Sequence, residues 1–237
     1  MPRLEALEAA VSNRTKALIL NNPANPTGKV YSEAELMLLA DFAARHDLLI
    51  IADEVYTCYV YDGSFIPMRT IPGAAERTIT VVSFSKNFFM TGWRIGFTIA
   101  EPAIIDASMA AAGMLIYTAP SVSQRAVIKA LQLRREIMEE NAALFRTRVL
   151  YAADRVARLP YLTLYPPKGA FYLFPGAADK SLSSADICSS LLEQAHILVS
   201  PGAVFGATGR GHIRIACTVE VPVLKEAFDR MEEIRKL

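Results

Sequence analysis

The chain has 237 residues, 52% of them apolar, and its 25 basic and 24 acidic side chains give a net charge of +1. This length and apolar fraction are sufficient for one large or two modest domains with packed cores. A net charge near zero excludes a general electrostatic attraction to nucleic acid or to an acidic membrane surface, so we expect small partners and no nucleic-acid or membrane partner.

The N-terminal sequence MPRLEALEAAV carries acidic residues where a signal peptide would have its apolar core. No apolar stretch reaches the roughly 20 residues that a membrane-spanning helix needs. Cys58, Cys188 and Cys217 are odd in number and widely spaced, and the three histidines form no metal-binding pair. We therefore expect a soluble, cytoplasmic protein with reduced cysteines and without a metal site.

The first half of the chain alternates strand and helix patterns. The apolar runs KALILNN (16–22), DLLIIADE (47–54) and RTITVVSF (77–84) are typical of strands buried on both faces of a parallel sheet. Ser32 and Glu35 form a capping-box pattern, which predicts that a helix begins between the first two runs. WRIGFTIA (93–100) favours another strand. This order predicts an α/β fold with a mostly parallel sheet and right-handed crossovers.

The second half begins with a helical pattern from Pro102 to about Leu159. The pattern then changes to short strands at 161–166 and 170–175, joined by the turn-like sequence PKG. A helix from about Ser184, strands at 197–201 and 212–218 and a final helix at 221–237 follow. We predict a domain boundary near residue 155, with residues 1–155 in a large domain and residues 156–237 in a small α+β domain.

Polar side chains follow the predicted parallel strands at the points where those strands end. The first strand runs into NNPANPTG, the second ends at Asp53, and the third ends at Ser83 with Lys86 just beyond it. Ligands of open parallel sheets bind beyond the carboxyl ends of the strands. An amide, a carboxylate, hydroxyls and an amine are therefore predicted to meet at this edge.

These residue types suit a phosphorylated carbonyl cofactor. An isolated lysine is usually an exposed loop residue, but Lys86 is placed for Schiff-base chemistry, which needs a partly deprotonated amine. Arg94, if it is not in a surface ion pair, supplies with Ser83 and Ser85 the donors that a phosphate monoester requires. Asp53 is a helix cap, a structural ion pair or the partner of a protonated pyridine nitrogen.

Two further residues are ambiguous when each is considered alone. Tyr56 lies three residues after Asp53, so its phenol is either part of the core or a hydrogen-bond donor to an oxygen of the same ring. Asn25 is either a turn residue, because Asn-Pro pairs favour turns, or a ligand-binding amide. The combination of residues is more specific than any one of them.

Taken in order, NNPANPTG, ADEVY, SFSKNFFMTGWRIGF and HIRIACT resemble the class I/II aminotransferases, which are fold-type I pyridoxal-phosphate (PLP) enzymes of the aspartate aminotransferase superfamily. The resemblance extends over essentially the whole chain. It implies the fold-type I transferase fold, PLP as cofactor, a homodimer, and transfer of an amino group between an L-amino acid and a 2-oxo acid.

The resemblance also implies residue roles. Lys86 would hold PLP as a Schiff base and then move the proton between the substrate and the cofactor. Asp53 would pair with the pyridine nitrogen, and Asn25 and Tyr56 would bind the phenolic oxygen of the ring. Arg214, with Asn25, would bind the α-carboxylate of the substrate. The phosphate would be held by Ser83, Ser85 and Arg94.

The chain departs from the family at its beginning, because only about 20 residues precede NNPANPTG. We therefore expect a large domain without its N-terminal part, including the family's glycine-containing phosphate turn and its ring-stacking aromatic residue. Three alternatives follow from this departure and from related chemistry: a catalytically silent fragment, the effector-sensing half of a PLP-binding regulator, or a PLP-dependent carbon-sulfur lyase or cyclopropane-forming synthase.

Overall fold

The structure is a computed structural model, and it describes residues 3–234. Its α-helices and β-strands alternate in the first half, as the sequence predicts, and become predominantly helical and then mixed in the second half. In chain order they are α1 (Leu4–Ala10), β1 (Ala17–Asn21), α2 (Glu33–Arg45), β2 (Leu49–Asp53), β3 (Thr78–Ser83), α3 (Phe84–Asn87), β4 (Gly96–Ile99), α4 (Pro102–Leu115), α5 (Ser121–Gln132), α6 (Arg134–Val156), β5 (Leu162–Thr163), β6 (Tyr172–Leu173), β7 (Gly176–Ala177), α7 (Ser184–Ala195), β8 (Ser200–Pro201), β9 (Ile213–Ala216) and α8 (Val221–Glu232).

Residues group into two compact units. The first contains Met1–Pro23, Val30–Cys58 and Ser64–Met138, and the second contains Ala24–Lys29, Tyr59–Gly63 and Glu139–Leu237. The predicted domain boundary near residue 155 stays a prediction, because compact units of this kind do not by themselves define domains.

The first unit contains a four-stranded sheet in the order β1-β2-β3-β4. Strands β1, β2 and β3 are parallel, and β4 runs antiparallel to β3, which confirms the predicted mostly parallel sheet. Gly96 lies opposite Ser83 in the register, and a Cβ atom added to Gly96 would be 2.4 Å from the carbonyl oxygen of Val82. Only glycine allows β4 to approach β3 this closely.

Helix α2 begins at the predicted capping box. The Glu35 backbone N–H donates to Ser32 Oγ (3.3 Å), and the Ser32 N–H donates to Glu35 Oε2 (3.0 Å). These bonds satisfy two backbone donors that the first turn of a helix leaves unpaired. Leu36 and Leu39 of α2 then pack against Leu20 of β1 in the core of the first unit.

The prediction that the strands are buried on both faces is wrong for β1, whereas no residue of β3 is exposed. Leu18 and Leu20 contact the core below α2, whereas Ile19 between them is 73% exposed. Strand β4 is also exposed, with Ile99 at 44%. Successive side chains of a strand point to opposite faces, and α2 covers only one of the two faces. An apolar run alone could not reveal which face a helix covers.

The short strands predicted at 161–166 and 170–175 are each reduced to two residues, and they do not pair with each other. Strand β5 pairs with β7, whereas β6 pairs with β9 in the sheet β6-β9-β8, so the two segments belong to different sheets. The PKG sequence between them instead contacts an earlier part of the second unit: the Tyr61 N–H donates to the carbonyl oxygen of Lys168 (2.8 Å). Long-range backbone pairing therefore overrides the local turn signal.

An aromatic cluster forms part of the core of the second unit. The Tyr59 ring makes edge contacts with Phe145 (5.3 Å between centroids) and Phe171 (5.2 Å), and the rings of Phe145 and Phe171 stack at 4.7 Å. Phe171 is buried in this cluster. Such ring pairs contribute about 0.5–1.5 kcal/mol each beyond the area that they bury.

Within residues 3–234, no helix combines the length and the apolar composition that crossing a membrane requires. Cys217 is buried, and Cys58 and Cys188 are half-buried free thiols. The last helix ends at Glu232, and the part of its predicted range at 235–237 lies outside the described residues.

Candidate active site

Asp53 is the last residue of β2, and Asn21, the last residue of β1, lies beside it in the parallel register. Asn21 Nδ2 is 3.1 Å from both the carbonyl oxygen and the Oδ2 atom of Asp53, and donates to both. This amide fixes the direction of the carboxylate. Asn21 is a site residue that the sequence reasoning missed, although the parallel pairing of two strand ends was a signal that could have identified it.

The Asp53 carboxylate is only partly accessible to water. Burial raises its pKa above the ordinary value, while a hydrogen bond from the backbone N–H of Val55 lowers it. A carboxylate with this desolvation cost is stabilised most by a cationic hydrogen-bond donor. Asp53 is thus suited to a protonated ring nitrogen.

Glu54, next in the chain, is 4% exposed and has a different partner. Its Oε1 atom accepts a hydrogen bond from the backbone N–H of Met68 (2.8 Å). Burial raises the pKa of Glu54, and the neighbouring Asp53 charge raises it further. The two adjacent carboxylates therefore have separate environments, and Glu54 stabilises the turn at Met68. Tyr56, two residues later, is buried.

Lys86 lies on the short helix α3, directly after β3, as the sequence predicts. Ser83 begins this helix, because its Oγ atom accepts a hydrogen bond from the Ser85 backbone N–H (3.1 Å). The Ser83 hydroxyl hydrogen is not used in that bond and can donate to a ligand. Ser85 is buried and Lys86 is half-buried.

The three predicted phosphate-binding residues lie around one cavity. Ser83, Ser85 and Arg94 line a cavity of about 330 Å³, together with Gly96 of β4. Arg94 has a left-handed backbone conformation (φ 49°, ψ 54°), and one of its terminal nitrogens donates to the carbonyl oxygen of Thr91 (2.9 Å). Non-glycine residues in this conformation carry backbone strain, which is concentrated at functional sites.

In the second unit, Arg214 on β9 is held by two polar contacts. Its guanidinium group donates to Asn25 Oδ1 (3.1 Å) and to Ser200 Oγ (3.2 Å). The same group lies over the rings of Tyr172 (4.6 Å to the centroid) and Phe205 (4.9 Å). Its Nε atom is buried and has no hydrogen-bond partner in the part of the chain that the structure describes.

This environment holds the guanidinium plane in one orientation. Aromatic faces attract a cation, and a planar guanidinium can bind both oxygens of a carboxylate. The structure therefore brings the predicted pair Asn25 and Arg214 together. Ser200 and Phe205 were missed by the sequence reasoning, because no local pattern marks them as neighbours of an arginine on another strand.

The donor set of the first unit fits the PLP that the resemblance implies. Two serine hydroxyls and an arginine around one cavity match a phosphate, and the desolvated carboxylate of Asp53 matches a protonated pyridine nitrogen. Lys86 has the amine that the aldehyde of PLP would require. Among residues 3–234, no cluster of histidine, cysteine and acidic side chains suitable for a metal ion is present.

Comparison with known proteins agrees with this donor set. The family model described as aminotransferase class I and II matches residues 2–231. The chain is 40% identical to the aromatic-amino-acid aminotransferase 2 of Thermococcus litoralis and 40% identical to the aspartate aminotransferase of Pyrococcus abyssi; each match covers 98% of this chain and 60% of the relative.

Solved structures agree as well. The aromatic aminotransferase of Pyrococcus horikoshii superposes with a TM-score of 0.94 at 36% identity, and the match covers 98% of this chain and 63% of that protein. The chain thus spans about 60% of the length of the curated relatives that it matches. The fold-type I fold is shared with these aminotransferases.

Proposed function

Because the chain belongs to the class I and II aminotransferases, a PLP-dependent family, we propose that it transfers an amino group between an L-amino acid and a 2-oxo acid. The observation that carries this proposal is the cavity lined by Ser83, Ser85 and Arg94, with Lys86 in the next turn of the chain. Relatives are named for aspartate and for aromatic amino acids, and we propose the same two classes of donor for this chain.

The first set of residues binds and orients the cofactor. Arg94 and the hydroxyls of Ser83 and Ser85 bind the phosphate, whose negative charge strengthens each of these hydrogen bonds. Asp53, held in direction by Asn21, keeps the pyridine nitrogen protonated. PLP, when bound, supplies an electron-withdrawing ring that stabilises the negative charge left on a carbon after a proton leaves.

The second set of residues acts on the substrate. Lys86 would hold PLP through its amine. When that amine is free, it would act as a general base toward the proton on the α-carbon of the amino acid and as a general acid in the reverse direction. Tyr56 donates a hydrogen bond to the phenolic oxygen of the ring. Arg214, together with Asn25, binds the α-carboxylate.

Covalent trapping tests the proposal. The purified chain is incubated with PLP, reduced with borohydride and digested, and the pyridoxyl adduct is located by peptide mass. We expect one adduct, at Lys86, and none in Lys86→Arg, which keeps the positive charge but has no amine that can react. A folded chain without an adduct would refute the proposal and would favour the catalytically silent alternative.

Product analysis separates aminotransfer from carbon-sulfur lyase chemistry. With aspartate or an aromatic amino acid as donor and a 2-oxo acid as acceptor, we expect a new oxo acid and a new amino acid in equal amounts. Release of free ammonia without an amino product would instead favour the lyase alternative.

We also propose that the protein acts in the cytoplasm as a homodimer, by analogy with the family. The exposed apolar side chains of Ile19, Phe97 and Ile99 support self-association, because apolar surface of this kind is stabilised by burial. Sedimentation velocity over a range of protein concentrations tests the assembly, and a monomer at every concentration would refute it.

A further inference from the structure

Asn87 follows Lys86 directly and is 3% exposed. Its side-chain amide makes contacts far away in the sequence. The Nδ2 atom donates to Thr57 Oγ1 (2.7 Å), and the Oδ1 atom accepts from the backbone N–H of Cys58 (3.5 Å) and from Cys58 Sγ (3.3 Å). One buried side chain therefore connects the helix that carries Lys86 with the segment that follows Tyr56.

These bonds lie where the backbone pairing between β2 and β3 has ended. The last pair in the register is Asp53 with Val81, and the Glu54 N–H still donates to the Val81 carbonyl oxygen (3.0 Å). Beyond that point, no register pair joins the two strands within residues 3–234. The Asn87 amide then joins their two continuations.

An asparagine is suited to this connection because its amide donates and accepts at the same time. Here Thr57 Oγ1 accepts a hydrogen bond from the amide, and the Cys58 N–H donates one to it. Aspartate at residue 87 would keep the acceptor but lose the donor, and alanine would lose both. A buried group left without its partner costs more than the hydrogen bond contributes, so the connection resists local rearrangement.

We propose that Asn87 is a positioning residue that fixes Lys86 relative to Tyr56, so that the lysine amine and the phenol reach the same bound ring. This inference rests on the proposed function, since it assigns both residues to PLP. Asn87 does not itself contact the reacting atoms in this proposal. It acts through the two segments that its amide connects.

A matched pair of variants at residue 57 tests the connection and leaves Lys86, Tyr56 and Asn87 in place. Thr57→Val removes the hydroxyl that accepts from Asn87 at nearly constant volume, whereas Thr57→Ser keeps it. We expect Thr57→Val to bind PLP about two- to tenfold more weakly, the range that follows from the net contribution of one buried hydrogen bond. Asn87→Ala also loses the contacts with Cys58, so it should bind PLP at least as weakly as Thr57→Val. Thr57→Ser should stay close to the wild type.

A spectroscopic readout separates positioning from simple structural support. The visible absorption of the bound cofactor is titrated with pH in each variant. If Asn87 sets the position of Lys86 relative to Tyr56, the midpoint of this titration shifts in Thr57→Val and in Asn87→Ala but not in Thr57→Ser. The double variant should be no worse than the more severe single variant, because both remove the same contact.

Hydrogen exchange of the protein without PLP provides a second measurement. In Asn87→Ala, the backbone amide of Cys58 loses its acceptor, so the peptide containing residues 56–58 should exchange faster than in the wild type. The peptide containing α2 serves as the internal control and should not change. Equal exchange at residues 56–58 in both proteins would overturn the inference.

The two proposals fail in distinguishable ways. If the wild type binds PLP and Thr57→Val has the same affinity and the same titration midpoint as Thr57→Ser, the positioning role is refuted and the proposed function stands. If the wild type itself forms no Lys86 adduct, the proposed function is refuted, and the role of Asn87 falls with it.

Discussion

Gly28, the last residue of NNPANPTG, has a positive φ of 68°, and its surroundings leave no space for a side chain. A Cβ atom there would be 2.8 Å from Pro167 Cβ and 3.0 Å from the carbonyl oxygen of Gly169. The Gly28 carbonyl oxygen also accepts hydrogen bonds from the backbone N–H groups of Lys168 and Gly169 (2.8 Å each). The substitution Gly28→Ala therefore imposes both a backbone cost and a packing cost.

The size of the effect follows from these two costs. A left-handed conformation costs a non-glycine residue about 1–2 kcal/mol, and insertion of a methyl group into a packed site costs about 1–3 kcal/mol. We expect Gly28→Ala to lower the free energy of unfolding by about 2–5 kcal/mol. Gly63 is the matched control: it belongs to the same unit and has a φ of 86°, but nothing lies within 4 Å of its added Cβ.

Urea unfolding followed by far-ultraviolet circular dichroism compares the two variants. Gly63→Ala should lower the free energy of unfolding by the backbone cost alone, about 1–2 kcal/mol. The difference between the variants, measured from the transition midpoints at an unchanged m value, isolates the contacts with Pro167 and Gly169. Equal losses in Gly28→Ala and Gly63→Ala would refute the packing argument.

Three further predictions concern charged residues. Arg155 is buried and paired with Asp229 (2.7 Å) and Glu232 (3.0 Å). Since both acids are nearly half exposed, Arg155→Met should lower the free energy of unfolding in urea by only about 2 kcal/mol. An unchanged transition midpoint would contradict this. Burial raises the pKa of Glu54 above 4.5, so the native state binds this proton more tightly than the unfolded state, and stability falls as the pH rises from 4.5 through the native pKa. As the pH rises from 4 to 7, the free energy of unfolding of Glu54→Gln should therefore increase relative to that of the wild type. If urea unfolding gives the same difference between the two proteins at both pH values, Glu54 does not titrate in this way. Arg214→Lys should raise KM for the amino donor about 10- to 100-fold with a smaller change in kcat, because the bidentate donor pair is lost. Steady-state kinetics at saturating PLP measures both constants. An unchanged KM would show that Arg214 does not bind the carboxylate.

The features that the sequence predicts best are set by residues close together in the chain. The cap of α2 needs only Ser32 and Glu35, and the position of Lys86 follows from the end of one strand. Parallel strands with crossover helices also constrain where the carboxyl ends meet, so Asp53 and Ser83 were found at one edge without knowledge of the packing.

The features that the sequence does not predict depend on distant partners. Tyr172 pairs with Ala216 on β9, and this contact, more than forty residues away, decides that residues 170–175 form no hairpin with residues 161–166. The contact between Asn87 and Thr57, 30 residues apart in the sequence, has the same cause. No periodicity encodes them, since each joins segments whose separation in the sequence is arbitrary.

The second compact unit is not encoded by one continuous stretch of the gene, because it contains Ala24–Lys29 and Tyr59–Gly63 in addition to Glu139–Leu237. The acceptor of Arg214 lies in the first short stretch, and the ring that packs against Phe145 lies in the second. Recombination between two related genes at residue 138 would join a C-terminal segment from one parent to both short stretches from the other. Such chimaeras should retain stability only when both parents have the same residues at positions 25 and 59, here Asn25 and Tyr59. Chimaeras that take both short stretches from the same parent as the C-terminal segment should be stable for a wider range of parents.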